Sequence, residues 1–398
     1  MKLKDIARYV TDKVSSDAIG LENYVTTDSI LQNKAGRVEA SNLPPTSCTL
    51  TRFQKGDILI ANIRPYLRKI WLADIDGGCN ADVLVFRAIN GYSSAFVYAV
   101  LMQDSFYIYA MKGAKGSKMP RGDKEQIMRF EVPSNLQDTD EIGYFIVAIK
   151  AKIDLLNQIN RNLEAIARQL YDYWFVQLDF PDASGRPYKS SGGKMVWNEK
   201  LKREIPDEWN CEPIGEFIDL LDSKRIPLSS QERGVRQGKY PYYGATGIMD
   251  YVDDYLFDED IILLAEDGST SDSNGNPIVQ YVWGKVWVNN HAHIILPKCR
   301  SQKVYLYFLL KTIQAKKIES GSIQKKISQA NLCNHFSIIP PNRIITAYTE
   351  VVNPIWLEWK RKQDEIKILT AQRDELLPLL MNGQVSVRPR AVNCDLSD

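Results

Sequence analysis

The sequence predicts an α+β protein in which a strand-rich module followed by a long helix occurs twice. Three observations lead there: a heptad pattern in mid-chain, a second heptad pattern near the C-terminus, and a set of short motifs that recur about 205 residues apart. In the stretch from Ile142 to Phe175, alternating steps of four and three fall on Ile142, Ile146, Ile149, Ile153, Leu156, Asn160, Leu163, Ala167, Leu170 and Trp174, apolar except for Asn160. That spacing is the seam of a coiled coil rather than the broader face of a globular helix. At 1.5 Å per residue, roughly 33 residues make a rod of about 50 Å, which needs a partner to cover its seam. A second seam, Val352, Ile355, Trp359, Lys362, Ile366, Leu369, Arg373, Leu376 and Leu380, supplies one, with two charged interruptions. Pro354 suits a first turn or a kink, and Gly383 stands where a helix terminator belongs. The plainer alternative is two ordinary core helices.

The repeat runs beyond the helices. Ile149 and Ile355 share a register 206 residues apart. "FQKGDILIANIRPYLRKIWLAD" parallels "FDEDIILLAEDGS", with Asp57 and Asp260 offset by 203. "CNADVLVFR" parallels "NNHAHIILP", and "KGSKMPRGDKEQIMRFEVP" parallels "SGSIQKKISQANLCNHFSIIP", with Gly116 and Gly321 offset by 205. A repeat of this length indicates a duplicated domain. Within each copy, β-branched and aromatic runs between Gly, Asn and Asp breakers predict strands: "DILIANI", "KIWLADI" and "DVLVFRAI" first, then "DIILLAED" and "GKVWVNNHAHIILP". "AFVYAVLMQDSFYIYAMKG" and "KVYLYFLLKTIQAKKIESG" read as one helix each, closed by Gly. The Gly/Ser/Pro-rich segment from Asp179 to Trp209 reads as a linker. The expected division is 1–140 for the first module, 141–178 for the central helix, 179–344 for linker and second module, 345–383 for the distal helix and 384–398 for a tail.

With 44% apolar residues the chain can build real cores. Fifty Lys+Arg against 49 Asp+Glu leave a net charge of +1, so bulk charge says nothing of nucleic acid and any basic surface is local. Six cysteines without a CxxC pair suit a reducing compartment. "MKLKDIARYV" has no apolar signal region and "AFVYAVLM" is too short to span a bilayer, so a soluble cytoplasmic protein is expected.

No catalytic constellation stands out. "IPPNR" has prolines in the wrong order for an adenine methyltransferase motif, no Walker loop occurs, and Glu358/Lys360 and Glu365/Lys367 lie on the distal helix, where a solvated face explains them. His291 and His293 with Cys299 are a His-x-His on a strand without a second ligand pair, which reads as structural, and no metal is expected. The chemistry is in local basic clusters. "KGAKGSKMPRGDK" places Lys115, Ser117, Lys118 and Arg121 in a glycine-rich loop, and its counterpart offers Ser322, Gln324, Lys325 and Lys326. "NIRPYLRK" adds Arg64, Arg68 and Lys69, and "KYPYYGATG" adds Lys239, Tyr243 and Thr246. Lys and Arg neutralise phosphates, while Gln and Arg also pair with base edges. A solvated loop is the ordinary reading of any one cluster; matching positions in both copies favour DNA contact.

The arrangement resembles the specificity (S) subunit of Type I restriction–modification enzymes. "LYDYWF" ending the first helix, "GRPYKSSGGKMVWNEKLKREIPDEW" before the second module, and "YYGATG", "AEDGS", "GSIQKKI" and "QRDELLPLLMNG" carry the likeness, over nearly the whole chain. The resemblance implies that each module is a target-recognition domain for one half of a split DNA site. It also implies two helices paired as an antiparallel coiled coil, giving a pseudo-twofold arrangement, and docking of methyltransferase subunits, two of them, with restriction subunits joining through the complex. S-adenosylmethionine and ATP are then expected on partner subunits and no cofactor in this chain. Trp174, Phe175, Trp356 and Trp359, in excess of what a helix pair needs, are expected at the methyltransferase interface. The competing readings are a coiled-coil scaffold and a free-standing DNA-binding protein without enzyme partners.

Overall fold

The computed structural model describes residues 1–134, 136–321 and 325–387. It contains two compact units: Met1–Asn160 with Lys362 onward, and Arg161–Arg361.

The first unit holds strands β1 (Ala7–Tyr9), β2 (Lys13–Ser15), β3 (Tyr24–Val25), β4 (Thr49–Phe53), β5 (Ile58–Ala61), β6 (Ile70–Leu72), β7 (Gly77–Cys79) and β8 (Val83–Ala88). They form an antiparallel sheet ordered β1-β8-β5-β6 and a mixed sheet ordered β2-β4-β7-β3, with β3 and β7 parallel. Strand β5 explains why the sequence reads "ILIA" without alternation. Ile58 and Ile60 face one core with the helices, and Leu59 faces a second core with Phe53, Val83 and Val85. A strand buried on both faces needs no polar positions. The expected single helix from 95 is two, α1 (Ser94–Met102) and α2 (Asp104–Lys112). Gln103 between them is extended (φ −62°, ψ 138°) and its side chain caps the Val100 carbonyl. Asp104, freed to start the second helix, salt-bridges Lys34 at 2.8 Å and Arg68 at 3.2 Å.

After the short α3 (Lys124–Ile127) comes α4 (Thr139–Tyr171), which runs on into a π turn over Asp172–Val176. Its first part belongs to the first unit, where Ile142 and Ile146 share a core with Leu377, Leu380 and Met381 from the helix Asn342–Met381. Lys152 to Glu365 is a cross-pair at 3.2 Å. Lys150, which pairs with Asp154 one turn along, is 7% exposed.

The second unit holds the hairpin β9 (Met195–Asn198) and β10 (Arg203–Pro206), then β11 (Asn210–Pro213), β12 (Ile218–Leu220), α5 (Ser230–Val235), β13 (Gln237–Tyr243), β14 (Ile248–Val252), β15 (Phe257–Asp258), β16 (Ile261–Ala265), β17 (Val279–Val282), β18 (Lys285–Val288) and β19 (Ala292–Pro297). There follow α6 (Lys303–Thr312), β20 (Glu319–Ser320), β21 (Lys326–Ile327), α7 (Gln329–Cys333), β22 (Phe336–Ile339) and α8 (Asn342–Met381). The segment expected as a linker is therefore partly ordered: it carries β9 and β10, and Phe180 stacks on both Tyr188 and Trp209.

The duplication is visible strand by strand. The order β12-β19-β16-β17 repeats β1-β8-β5-β6, with Leu264 opposite His293 where Ile60 is opposite Leu84. In the other sheet β15-β18-β13 repeats β4-β7-β3, including the one parallel pairing. The copies differ in the fourth strand: β2 adds beside β4, whereas β14 adds beside β13. In both long helices every described seam position is buried or half-buried. The helices mix with sheets as an α+β architecture, and each helix contributes to both units.

Candidate nucleic-acid interface

In the first unit, the glycine-rich loop closes on itself. Lys115 and Arg121 exchange two backbone hydrogen bonds of 2.9 Å, and Gly116 makes the turn at φ +97°, a backbone state that favours glycine. The loop is tied to the end of β5: Gly122 N–H donates to the Asn62 carbonyl (3.2 Å) and Arg64 N–H to the Pro120 carbonyl (2.7 Å). Arg64, Lys115, Ser117, Lys118 and Arg121 thus come from two segments to one place. Their side chains differ in freedom. Arg121 makes two bonds to Asp82 (3.0 and 3.3 Å), and Lys115 lies 3.5 Å from Asp123. Ser117 and Lys118 are exposed.

Two candidates on the same turn are employed otherwise. Lys69 donates to the Thr27 carbonyl at 2.5 Å, and Arg68, held at φ +51° after the 3-10 turn, reaches Asp104. Both pairings help hold the fold; a sequence shows charge but not the acceptor that shares it.

In the second unit the corresponding loop is flanked by β20 and β21 and tied to β16 in the same way, Ile327 N–H donating to the Glu266 carbonyl at 2.8 Å. Lys325 pairs with Glu319 (2.7 Å) and Lys326 with Glu266 (3.1 Å). Ser322 and Gln324 lie outside the described residues. Lys239, Tyr243 and Thr246 belong to the β13–β14 hairpin, whose tip is closed by Gly244 N–H to the Gly247 carbonyl and held by the Gln280 side chain. Lys239 and Thr246 are exposed, while Tyr243 is half-buried, and burial with Tyr251 nearby pushes its phenol up to about 12. The hairpin exposes Ile248, Met249 and Tyr251, which sequence reading passed over for want of charge. Hairpin and loop share one end of the unit. Asn289 N–H donates to the Tyr243 carbonyl, Asn289 Oδ1 accepts from His291 N–H, His291 pairs with Asp267 (2.8 Å), and Asp267 bridges to Lys326.

Under that loop is a buried charge network that sequence reading missed. His293, 1% exposed, has Nδ1 2.5 Å from Asp222 and Nε2 2.7 Å from the Ile327 carbonyl. Asp222 also accepts from Ile294 N–H and Gln329, and Glu266 accepts from Arg225 at 2.6 Å. Burial raises the Asp222 carboxyl, but its hydrogen bonds from His293 and Ile294 leave it below its ordinary value. Glu266 is likewise lowered, against burial, by Arg225 and Lys326. Burial lowers His293, yet the Asp222 and Ile327 bonds leave it raised on balance. Asp222, Glu266 and His293 offer ligand atoms within 4.8 Å of one another. Their carboxylates already face Arg225 and Lys326 and both ring nitrogens are engaged, so the group balances charge internally rather than inviting a cation. Cys299 is apart, exposed and bonded to Ser301.

The aromatic residues expected to dock a partner are buried. Trp174, Phe175, Trp356 and Trp359 are 7, 7, 2 and 9% exposed, in one core with Tyr171, Tyr305, Phe308 and Tyr348. Trp356 stacks on Trp359 at 4.5 Å and meets Tyr281, Tyr307 and Phe308. Helix α6 covers them, a non-local neighbour the heptad pattern does not reveal. Besides Val351 on α8, the large apolar side chains left outward on the described parts of the helices are Tyr144, Leu155 and Ile166 on α4, and Leu357, Ile368 and Leu379 on α8. Each set is spaced by eleven residues, three helical turns, and so lies along one line of its helix. Among the described residues, no helix is long and apolar enough to cross a membrane.

Residues 206–344 match the family model of the Type I restriction modification DNA specificity domain. The chain is 32% identical over 157 residues to the putative type I restriction enzyme specificity subunit S.HindORF215P of Haemophilus influenzae, a match spanning 39% of either chain and so well under half of that relative. It is 22% identical over 360 residues to the type I restriction enzyme MjaIX specificity subunit of Methanocaldococcus jannaschii, covering 85% of this chain and 80% of that one. The crystal structure of a Type-I restriction-modification system S subunit from M. genitalium has the same fold, with a TM-score of 0.56 at 17% identity over 96% of this chain and 95% of that one. The matched residues lie in the second unit, whose sheet order recurs in the first; the second unit therefore carries a Type I restriction modification DNA specificity domain, and the chain as a whole is similar to Type I specificity subunits.

Proposed function

We propose that this chain is the non-catalytic subunit that reads a bipartite DNA target for a Type I methyltransferase and endonuclease, one α+β unit to each half-site. The observation that carries the reading is the repeated loop base: the Gly122-to-Asn62 and Ile327-to-Glu266 bonds hold two loops of different sequence on one scaffold. One scaffold with unlike loops suits two unrelated half-sites. Lys115, Lys118, Lys239 and Lys325 supply phosphate contacts, and the loop and hairpin tips supply base contacts. The long helices set the separation between half-sites. Two methyltransferase subunits dock on the outward apolar lines of α4 and α8 rather than on the buried tryptophans, and restriction subunits join through them. S-adenosylmethionine and ATP are carried by those partners. The site of action is the cytoplasm, where the DNA is.

Methylation mapping in cells with and without this chain tests the proposal. A modified motif with two fixed halves and an unspecified gap, present only with the chain, is expected. Unchanged methylation, together with binding that random-sequence DNA competes away fully, would reduce the chain to a scaffold.

A further inference from the structure

Two loops of like construction rest on unlike foundations. Where the second unit has His293 on β19, the first has Leu84 on β8, each opposite the matching residue of the neighbouring strand. Where the second has Glu266 after β16, the first has Asn62 after β5, and Asn62 Nδ2 donates to the Gly122 carbonyl at 3.2 Å. The first loop is therefore fastened from below by an amide, which does not titrate. The second is fastened by an imidazole ring.

A neutral imidazole carries one N–H; only the imidazolium carries two. The neighbours of His293 demand two. A carboxylate oxygen 2.5 Å from Nδ1 and a carbonyl oxygen 2.7 Å from Nε2 are both acceptors. A ring that loses a proton keeps one bond and points a lone pair at the other acceptor. Asp222 is the stronger claimant, because its oxygen is anionic and 2.5 Å from Nδ1, and a lone pair facing it costs more than one facing a neutral carbonyl. The bond surrendered is then that to Ile327, the residue that ends the loop.

We propose that His293, as an imidazolium, is a positioning residue for DNA reading by the second unit, so that recognition of one half-site weakens as pH rises while the other is unaffected. This rests on the reading of each unit as a half-site reader. The charged and titratable groups that face His293 are Asp222 and Arg225 following β12, Glu266 following β16 (3.6 Å from Nδ1), Lys326 on β21 and Cys333 on α7, whose thiol burial and Asp222 hold in the neutral form. The direction is fixed by these neighbours: with its folded value raised above the ordinary 6.5, His293 contributes fully below that value and loses its contribution as pH rises through the folded one. Asp222 and Glu266, lowered in the fold, stay ionised over that whole range.

The test uses the full chain with its methyltransferase subunits and duplexes recovered from a random library by binding selection. For each half-site, the ratio of affinities for the selected and a mismatched duplex is followed from pH 6 upward, the second unit's half being the one whose reading changes in Thr246→Ala at the exposed hairpin tip. The expected result is a fall of at least tenfold in discrimination at that half and none at the other. Asp222→Asn should move the midpoint of the fall to lower pH, which a merely structural role would not do, and His293→Gln should flatten it. In nitrogen NMR the His293 ring should show two N–H groups at neutral pH, with or without DNA. Equal pH dependence at both halves, or a ring with one N–H, would overturn the inference and leave the half-site reading intact. Absence of any selected sequence would overturn that reading itself.

Discussion

Replacing Trp356 with alanine separates two roles that the sequence alone leaves mixed. The side chain is 2% exposed and meets Tyr281, Tyr307, Phe308 and Trp359 with ring centroids 4.5–5.5 Å away. Truncating a buried Trp typically costs about 3–5 kcal/mol in transfer energy and cavity formation. That is a large part of the roughly 5–15 kcal/mol that holds a domain folded. With an unfolding slope of about 2–3 kcal/mol per molar urea, the midpoint of the second unit should fall by roughly 1–2.5 M. Because the chain has two units, the destabilisation is best followed by amide exchange in β16 and β19, whose residues share that unit. Trp356→Phe keeps an aromatic ring in the site, so it should cost a fraction as much. Refolded Trp356→Ala should still bind methyltransferase subunits at temperatures where it is folded. A variant of unchanged urea midpoint that fails to copurify with them would refute this account and return Trp356 to the partner surface.

Three further outcomes follow from the same physical reasoning. Asn160, 3% exposed on the α4 seam, has neither amide atom bonded among the described residues, so Asn160→Leu should raise stability by about 1–3 kcal/mol in urea unfolding; a fall in stability would mean the amide is satisfied. Lys115→Ala with Lys118→Ala should flatten the log–log salt dependence of DNA binding by up to about 0.9 for each phosphate no longer neutralised. Arg121 is left in place there because Asp82 holds it. One heptad inserted after both Leu156 and Lys362 lengthens the helices by about 10 Å, or roughly three base pairs at 3.4 Å per step; binding selection should return both half-sites with that many more unspecified bases between them, and unchanged spacing would exclude the helices as the ruler.

What the sequence revealed depended on how local the cause was. The long helices were legible because heptads are periodic over many turns, and β5, β8, β16 and β19 because strands buried on both faces become unbroken apolar runs. The outer sheets were not. Gly77–Cys79 and Tyr24–Val25 are two or three residues long and owe their pairing to strands far along the chain. The break at Gln103 was hidden because Gln is a good helix former, and the gain from splitting the helix is long-range, in Asp104 meeting Lys34. At the candidate interface, charge and glycine content located the loops, but not which cations Asp82, Asp104 and the Thr27 carbonyl had already taken. His293 was seen and set aside, since Asp222 is 71 residues away and nothing in the His-x-His spacing points to it.

The first unit closes its core with residues the ribosome makes only after the whole of the second unit. Leu377, Leu380 and Met381, each 2% exposed or less, pack with Ile142 and Ile146 in the core that also contains β5 and α1. The whole second unit, Arg161–Arg361, lies between them in the chain. Synthesis proceeds from the N-terminus, and domains fold as units as they emerge. The second unit, contiguous in sequence, can therefore complete its fold while the first waits with an uncovered apolar groove along α4. A nascent chain stalled before residue 377 is half finished at its beginning rather than at its end, and it is there that a chaperone would find something to bind.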